Sequence, residues 1–196
     1  MPQPAPGNPP RRADAARNRE RILETARAAF ADPGDDVSMA EIARRAEVGM
    51  ATLYRNFPGR QELLEAVYVD DVDAVCEAAG ALPDAPPGVA LQAWLRRFFA
   101  FYRSKRHVGN ALLARPDPDN AVVHQGRPRV LAAGRPLFDA ARRAGAVRDG
   151  LGLEQLLEAV VMIARIDGDE AYTEPILSAF LDGIAPAPTG QAARIG

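Results

Sequence analysis

Apolar residues recur every three or four positions over most of this chain, the spacing that lines them along one face of an α-helix. From Arg11 to Phe30 the spacing is kept by Ile22, Leu23, Ala26, Ala29 and Phe30, while Arg17, Arg19, Arg21 and Arg27 fall elsewhere. Asp32-Pro33-Gly34-Asp35 predicts a turn. A second helix opens at Ser38, with Met39, Ile42, Ala43 and Ala46 on its apolar side. Glu41 follows three residues after Ser38, which predicts a capping box. The serine oxygen accepts from a first-turn amide, and the glutamate reaches back. Glu47-Val48-Gly49 breaks the pattern, and a third helix runs from Met50 to about Phe57. Pro58-Gly59 ends it, and Arg60 opens a long fourth helix with Leu63, Leu64, Val67, Val72 and Val75 on its buried side.

The clearest change of composition in mid-chain is Pro83 to Gly88. Helical spacing then covers 89–105, 106–114, 121–144, 152–166 and 170–184, punctuated by Pro116, Pro118, Gly150, Gly168 and Pro186. Pro128 and Pro136 interrupt 121–144, so that helix is expected to start late or kink. No stretch sustains the alternation of a strand and no internal repeat is visible, so the predicted fold is all-α. Hydrophobic residues make up 47% of the 196, enough to bury a substantial core and to exclude wholesale disorder. No apolar run approaches the ~18 residues of a membrane span, and MPQPAPGNPPRR lacks the apolar segment of a secretory signal. A single cysteine, Cys76, excludes an internal disulfide, fits a reducing cytoplasm and reads as a small buried hydrophobe.

The net charge of −2 argues against a uniformly basic coat for nucleic acid. Its distribution is uneven: residues 1–60 carry ten arginines against eight acids, and the remainder is net −4. A small DNA-binding end on an acidic body fits this balance. The chemistry lies in Ser38–Arg60, SMAEIARRAEVGMATLYRNFPGR, two short helices joined by a tight turn. That is the arrangement of a helix-turn-helix, whose second helix enters the major groove. Ile42, Ala46, Val48, Leu53 and Phe57 form the inward set. Met50, Ala51, Thr52, Arg55 and Asn56 are left for DNA. Ala51 allows close approach and a thymine-methyl contact, Asn56 suits adenine, and Arg55 suits guanine or phosphate. Ser38 and Thr52 can donate to phosphates, Tyr54 can point its hydroxyl at the backbone, and Arg60 brings charge to the start of a helix with free amides.

TLYRNFPGRQELLEAVY resembles the hallmark of the TetR/AcrR family of bacterial transcriptional regulators, and the resemblance covers Arg17 to Tyr68. It implies an all-α homodimer with an N-terminal three-helix DNA-binding domain and a C-terminal domain that dimerises and binds a small effector. The expected division is a disordered lead-in at 1–10, the DNA-binding domain at 11–60, the effector-binding and dimerisation domain at 61–185, and a disordered tail at 186–196. By the same likeness Ser38, Thr52, Tyr54 and Arg60 match phosphate-contact positions, and Met50, Ala51 and Asn56 match positions that face bases. The partners implied are a double-stranded, palindromic DNA operator, a second copy of the chain and a small effector of unknown identity. No cofactor, metal or membrane is implied. Repression rather than activation follows from the resemblance alone. One departure is Glu47, where the family usually has glycine or another small residue; in the left-handed conformation it costs roughly 1 kcal/mol.

Beyond the motif, Trp94, Phe98, Phe99, Phe101 and Tyr102 place five of twelve aromatics within nine residues. Core packing accounts for part of this run. Trp94, Phe98 and Tyr102 are the candidates to line an effector pocket. His107 and His124 are 17 apart without a metal-ligand cluster. The last two helices are apolar over more than one stripe, which burial inside the domain or against a twin can explain; the dimer is favoured, because a helix-turn-helix dimer needs half-sites about 34–36 Å apart or a multiple. An enzyme is disfavoured by the lack of a Ser/His/Asp context, a metal cluster or a glycine-rich phosphate loop. A ligand-binding or scaffold protein that has lost operator binding is the other alternative, with Glu47 as its mark.

Overall fold

The computed structural model describes residues 9–31, 37–81, 84–113 and 121–186, with side chains at 13–30, 37–81, 84–103 and 125–186. The predicted turn at 32–35, residues 1–8 of the lead-in and 187–196 of the tail lie outside the described residues, as do the side chains of His107 and His124. The described residues form eight helices and no strand. They are α1 (Pro9–Ala31), α2 (Met39–Arg45), α3 (Met50–Asn56), α4 (Arg60–Ala79), α5 (Pro87–Leu113), α6 (Ala121–Arg143), α7 (Leu153–Ala164) and α8 (Glu170–Asp182). Two compact units result, Met1–Tyr68 with His107–Pro116, and Val69–Arg106 with Asp117–Gly196. The division at Tyr68 falls within α4.

In the first unit α2 packs on α1 and α3. The apolar stripe of α1 (Ile22, Leu23, Ala26, Ala29, Phe30) is buried with Ile42 and Ala43 of α2, Leu53 of α3, and Leu63, Leu64 and Val67 of α4. Phe57, just past α3, closes this core at 2% exposure. The predicted inward set is therefore buried apart from Val48, which is half-buried.

In the second unit α7 packs between α6 and α8. Trp94 of α5 is fully buried and donates its indole N–H to the carbonyl of Val75 on α4 at 3.0 Å. Its ring lies against α6 at Gly134, where a Cβ would stand 2.2 Å from Cη2. This close approach, which only glycine allows, ties three helices to one side chain. A polar seam holds α8 to α5: Gln92 donates to the Leu181 carbonyl at 3.1 Å, Arg96 reaches Glu174 and, at 3.0 Å, Ser178, and Arg103 donates to Thr173 Oγ1 at 3.1 Å.

Three boundaries differ from the sequence pattern. α1 begins at Pro9, inside the expected lead-in, because a proline in the first turn lacks only an N–H that would have had no helical partner. The expected pair of helices over 89–114 is one helix, α5, since no glycine or proline stands between Gly88 and Gly109 to stop it. α6 starts at Ala121 and carries both Pro128 and Pro136 in its interior. Both prolines are exposed, so the carbonyl that each leaves without a donor is on a side that water can reach.

Gly134 gives the test of the Trp94 contact. Gly→Ala inside a helix normally stabilises by about 1 kcal/mol. Here Gly134→Ala is expected to destabilise by about 2 kcal/mol, because the methyl must displace the indole from a packed core. Urea unfolding followed by the fluorescence of the single tryptophan measures the sign; a gain in stability would refute the packing described.

Candidate nucleic-acid interface

The angle between α2 and α3 is set by a left-handed turn. Ala46 caps α2, Glu47 follows with φ 53°, and two reversed hydrogen bonds close the helix end: Glu47 N–H to the Arg44 carbonyl at 3.2 Å and Val48 N–H to the Ala43 carbonyl at 3.0 Å. This is a Schellman motif, which usually places glycine at the left-handed position. The end of α6 does so, with Gly145 at φ 68° and the same pair of bonds to Arg142 and Ala141. At the α2 end the residue is Glu47, so the departure noted in the sequence is a real left-handed residue with a side chain, strained by roughly 1 kcal/mol. Gly49 then caps α3, its carbonyl accepting from Thr52 and Leu53 N–H at 2.8 and 3.0 Å.

Ser38 caps α2 as expected, its Oγ accepting from Glu41 N–H at 3.2 Å. The other half of the predicted capping box is replaced. The Glu41 carboxylate runs forward to Arg44 Nε and Nη2 and to Arg45 Nε, each at 2.7 Å, because arginines three and four residues on offer charged donors in place of a backbone amide. These hydrogen bonds, from Arg44 first and Arg45 second, hold the carboxyl of Glu41 down at about 2. The spacing of Glu41, Arg44 and Arg45 was visible in the sequence, and the competition was not.

α3 has seven residues, about 10 Å of helix, and an α-helix about 10–12 Å across fits a major groove about 12 Å wide. Leu53 faces the core. Met50, Ala51, Tyr54 and Arg55 are exposed, with Tyr54 at 47%, and Thr52 and Asn56 are half-buried. Thr52 is the hub of local bonding. Its hydroxyl oxygen accepts from Arg55 Nη2 at 3.0 Å and its carbonyl from Asn56 Nδ2 at 2.8 Å, while Arg55 Nε reaches the Ala51 carbonyl at 3.1 Å. Accepting from Arg55 leaves the Thr52 hydroxyl its own hydrogen to donate, as a phosphate contact requires. Asn56 keeps its Oδ1 and a second Nδ2 hydrogen, and Arg55 its Nη1 hydrogens, for a contact outside the helix.

Arg60 opens α4, as the sequence indicates, with its guanidinium 4.9 Å from the Phe30 ring and a hydrogen bond to the carbonyl of Val37. It joins α4 to the segment ahead of α2 and to α1, so it has a structural role that sequence reading did not anticipate. Arg19 similarly lies 5.2 Å from the ring of Phe57. Away from this unit, Trp94 and Phe98 are buried, and Tyr102 is half-buried with its ring 6.0 Å from Phe98. Trp94 thus serves the core, and the edge of the aromatic run lies at Phe101 and Tyr102. Among the described residues no group of three or more His, Cys, Asp or Glu can hold a metal ion. No described helix is long and apolar enough to cross a membrane. Cys76 is half-buried, less enclosed than its sequence context suggested, and burial raises its pKa, which disfavours the reactive thiolate.

The motif and its setting match known proteins. The model for bacterial regulatory proteins of the tetR family matches residues 22–67, and that for the transcriptional regulator SbtR-like C-terminal domain matches residues 86–186. The chain belongs to the TetR family. It is similar to a TetR transcriptional regulator of Streptomyces coelicolor, with 35% identity and a TM-score of 0.75 over 87% of this chain and 99% of that one. A TetR regulatory protein of Mycobacterium vanbaalenii gives 34% and 0.72 over 89% and 99%. An HTH-type transcriptional regulator of Staphylococcus aureus (strain USA300) is 41% identical over 63 residues, 32% of this chain and 34% of that protein. The match spans about a third of the length of these curated relatives. As a TetR-family member the chain is a DNA-binding transcriptional regulator, not an enzyme.

The Glu41 clamp has a testable pH signature. A carboxyl lowered from 4.5 to about 2 stabilises the fold fully above pH 4.5, and the contribution disappears as pH falls through about 2. An NMR titration of the Glu41 side-chain carboxyl is expected to give a midpoint well below 4.5, and Arg44→Ala with Arg45→Ala is expected to return it to the ordinary glutamate range. An ordinary midpoint in the unaltered chain would show that the clamp does not form in solution.

Proposed function

We propose that this TetR-family chain is a ligand-responsive repressor that binds a palindromic operator as a homodimer in the cytoplasm. The observation that carries the dimer is the outer face of α7 and α8. Met162 and Tyr172 are 61% exposed and Ile176 is 37% exposed, while the opposite sides of the same helices are fully packed at Val160 and Leu177. A helix apolar on both sides gains by burying the second against a twin. Two-fold symmetry of the protein then asks for two-fold symmetry of the operator.

On the DNA, Ser38, Thr52 and Tyr54 are assigned to phosphates, and Met50 and Ala51 to base edges, with Arg55 and Asn56 joining them through the donors and acceptor that their helix bonds leave unused. The local bonds of Arg55 and Asn56 support a reading in which methyl contacts and DNA shape carry much of the specificity. Arg60 is assigned to a phosphate as well as to its structural bonds. The effector is assigned to the half-buried edge of the aromatic run, Phe101 and Tyr102, beside buried Phe98. Its binding would favour a state with the recognition helices wrongly spaced, so effector and DNA weaken each other by the same free energy.

Two measurements test this. Tyr54→Phe removes one hydroxyl from an exposed site and is expected to weaken operator binding about tenfold, the worth of a hydrogen bond to a charged group, with an unchanged melting temperature. Fluorescence anisotropy with an operator recovered by genomic footprinting reads it, and equal affinity would remove Tyr54 from the contacts. Met162→Asp with Ile176→Asp is expected to turn a dimer into a folded monomer in sedimentation velocity. An unchanged dimer would move the interface away from α7 and α8.

A further inference from the structure

Glu47 is unusual twice over. It is the one non-glycine residue at positive φ among those described, and its side chain is 84% exposed, so no buried contact accounts for its place there. What it meets is Arg21 of α1, whose Nη1 lies 3.9 Å from Glu47 Oε2. Arg21 also donates to Asn18 Oδ1 at 2.7 Å and is itself 48% exposed. The carboxylate stands three residues before Met50, so at most about 11 Å of chain separates it from the start of the recognition helix. That is comparable with the ~8 Å screening length at physiological salt. A negative charge there acts on any phosphate that α3 approaches.

We propose that Glu47 restrains DNA binding in this regulator: it competes with DNA phosphates for Arg21 and adds a repulsive charge beside the recognition helix. Arg21 is then a phosphate-binding residue kept in reserve. The pair is exposed and worth little to stability, so the arginine can exchange one acidic partner for another. A left-handed glutamate here stabilises neither fold nor core, and on this proposal its charge acts on affinity. The inference rests on the DNA binding of the family and not on the sign of regulation or the effector.

The test uses the whole chain and a fluorescein-labelled 30-base-pair duplex of random sequence, because the phosphate term is independent of sequence. Glu47→Gln keeps a side chain at positive φ and removes the charge. It is expected to bind about fivefold tighter per protomer, with the slope of log K against log salt steeper by about 0.9 for each protomer bound. Its melting temperature should not change. Glu47→Gly is expected to show the same gain in affinity and to melt about 2–4 °C higher, because it also relieves the backbone. Arg21→Ala in the Glu47→Gln background is expected to remove the added slope. The proposal is overturned if Glu47→Gln binds like the unaltered chain, if only Glu47→Gly gains affinity, or if the steeper slope survives Arg21→Ala.

Discussion

The left-handed turn at Glu47 is the constraint on which the DNA-reading surface depends. Reversing the chain there, with two hydrogen bonds back into α2, points α3 away from α2 and leaves Met50, Ala51 and Tyr54 outward while Leu53 goes into the core. A left-handed residue at this position is a common way to end a helix sharply and turn the chain. The first unit supports the turn from inside: Ile42, Ala46, Leu53 and Phe57 are all but inaccessible, so α2 and α3 cannot rotate without opening the core. Strain at one exposed residue is tolerated because the packing on either side over-determines its backbone.

The second unit is arranged by a different contact, the seat of Trp94 on Gly134. It fixes α5 against α4 and α6, and the row Gln92, Arg96 and Arg103 then sets α8 along α5 by hydrogen bonds rather than by apolar packing alone. Directional bonds specify register where a smooth apolar contact would allow sliding. The outer face of α7 and α8, with Met162, Tyr172 and Ile176, is thereby presented in one orientation.

Much of this was legible in the chain. The stripes of α1 and α4, the inward set of the motif and the all-helical fold follow from periodicity, since burial of one face is what periodicity encodes. What was not legible depends on partners distant in sequence or on local competition. Gly134 looks like any helix-weakening glycine until Trp94 is found against it. The structural partners of Arg60, Phe30 and the Val37 carbonyl, cannot be guessed from spacing. Glu41 satisfies the capping-box pattern, yet two arginines win its carboxylate. The prolines of α6 are breakers by rule, and their exposure is a tertiary fact. In α3 the outward positions were legible from the spacing of Leu53 and Phe57, but the bonds that Arg55 and Asn56 make to Thr52 were not.

The central claim is that α3, set by the turn at Glu47, reads DNA as one half of a symmetric pair. Selection of bound fragments from the genome by the purified chain, followed by footprinting, tests it most directly. The account predicts an inverted repeat whose half-sites lie about one helical turn, 34–36 Å, or a multiple apart, with protection centred on the major groove of each half. Recovery of no enriched sequence, or of a site without two-fold symmetry, would contradict it.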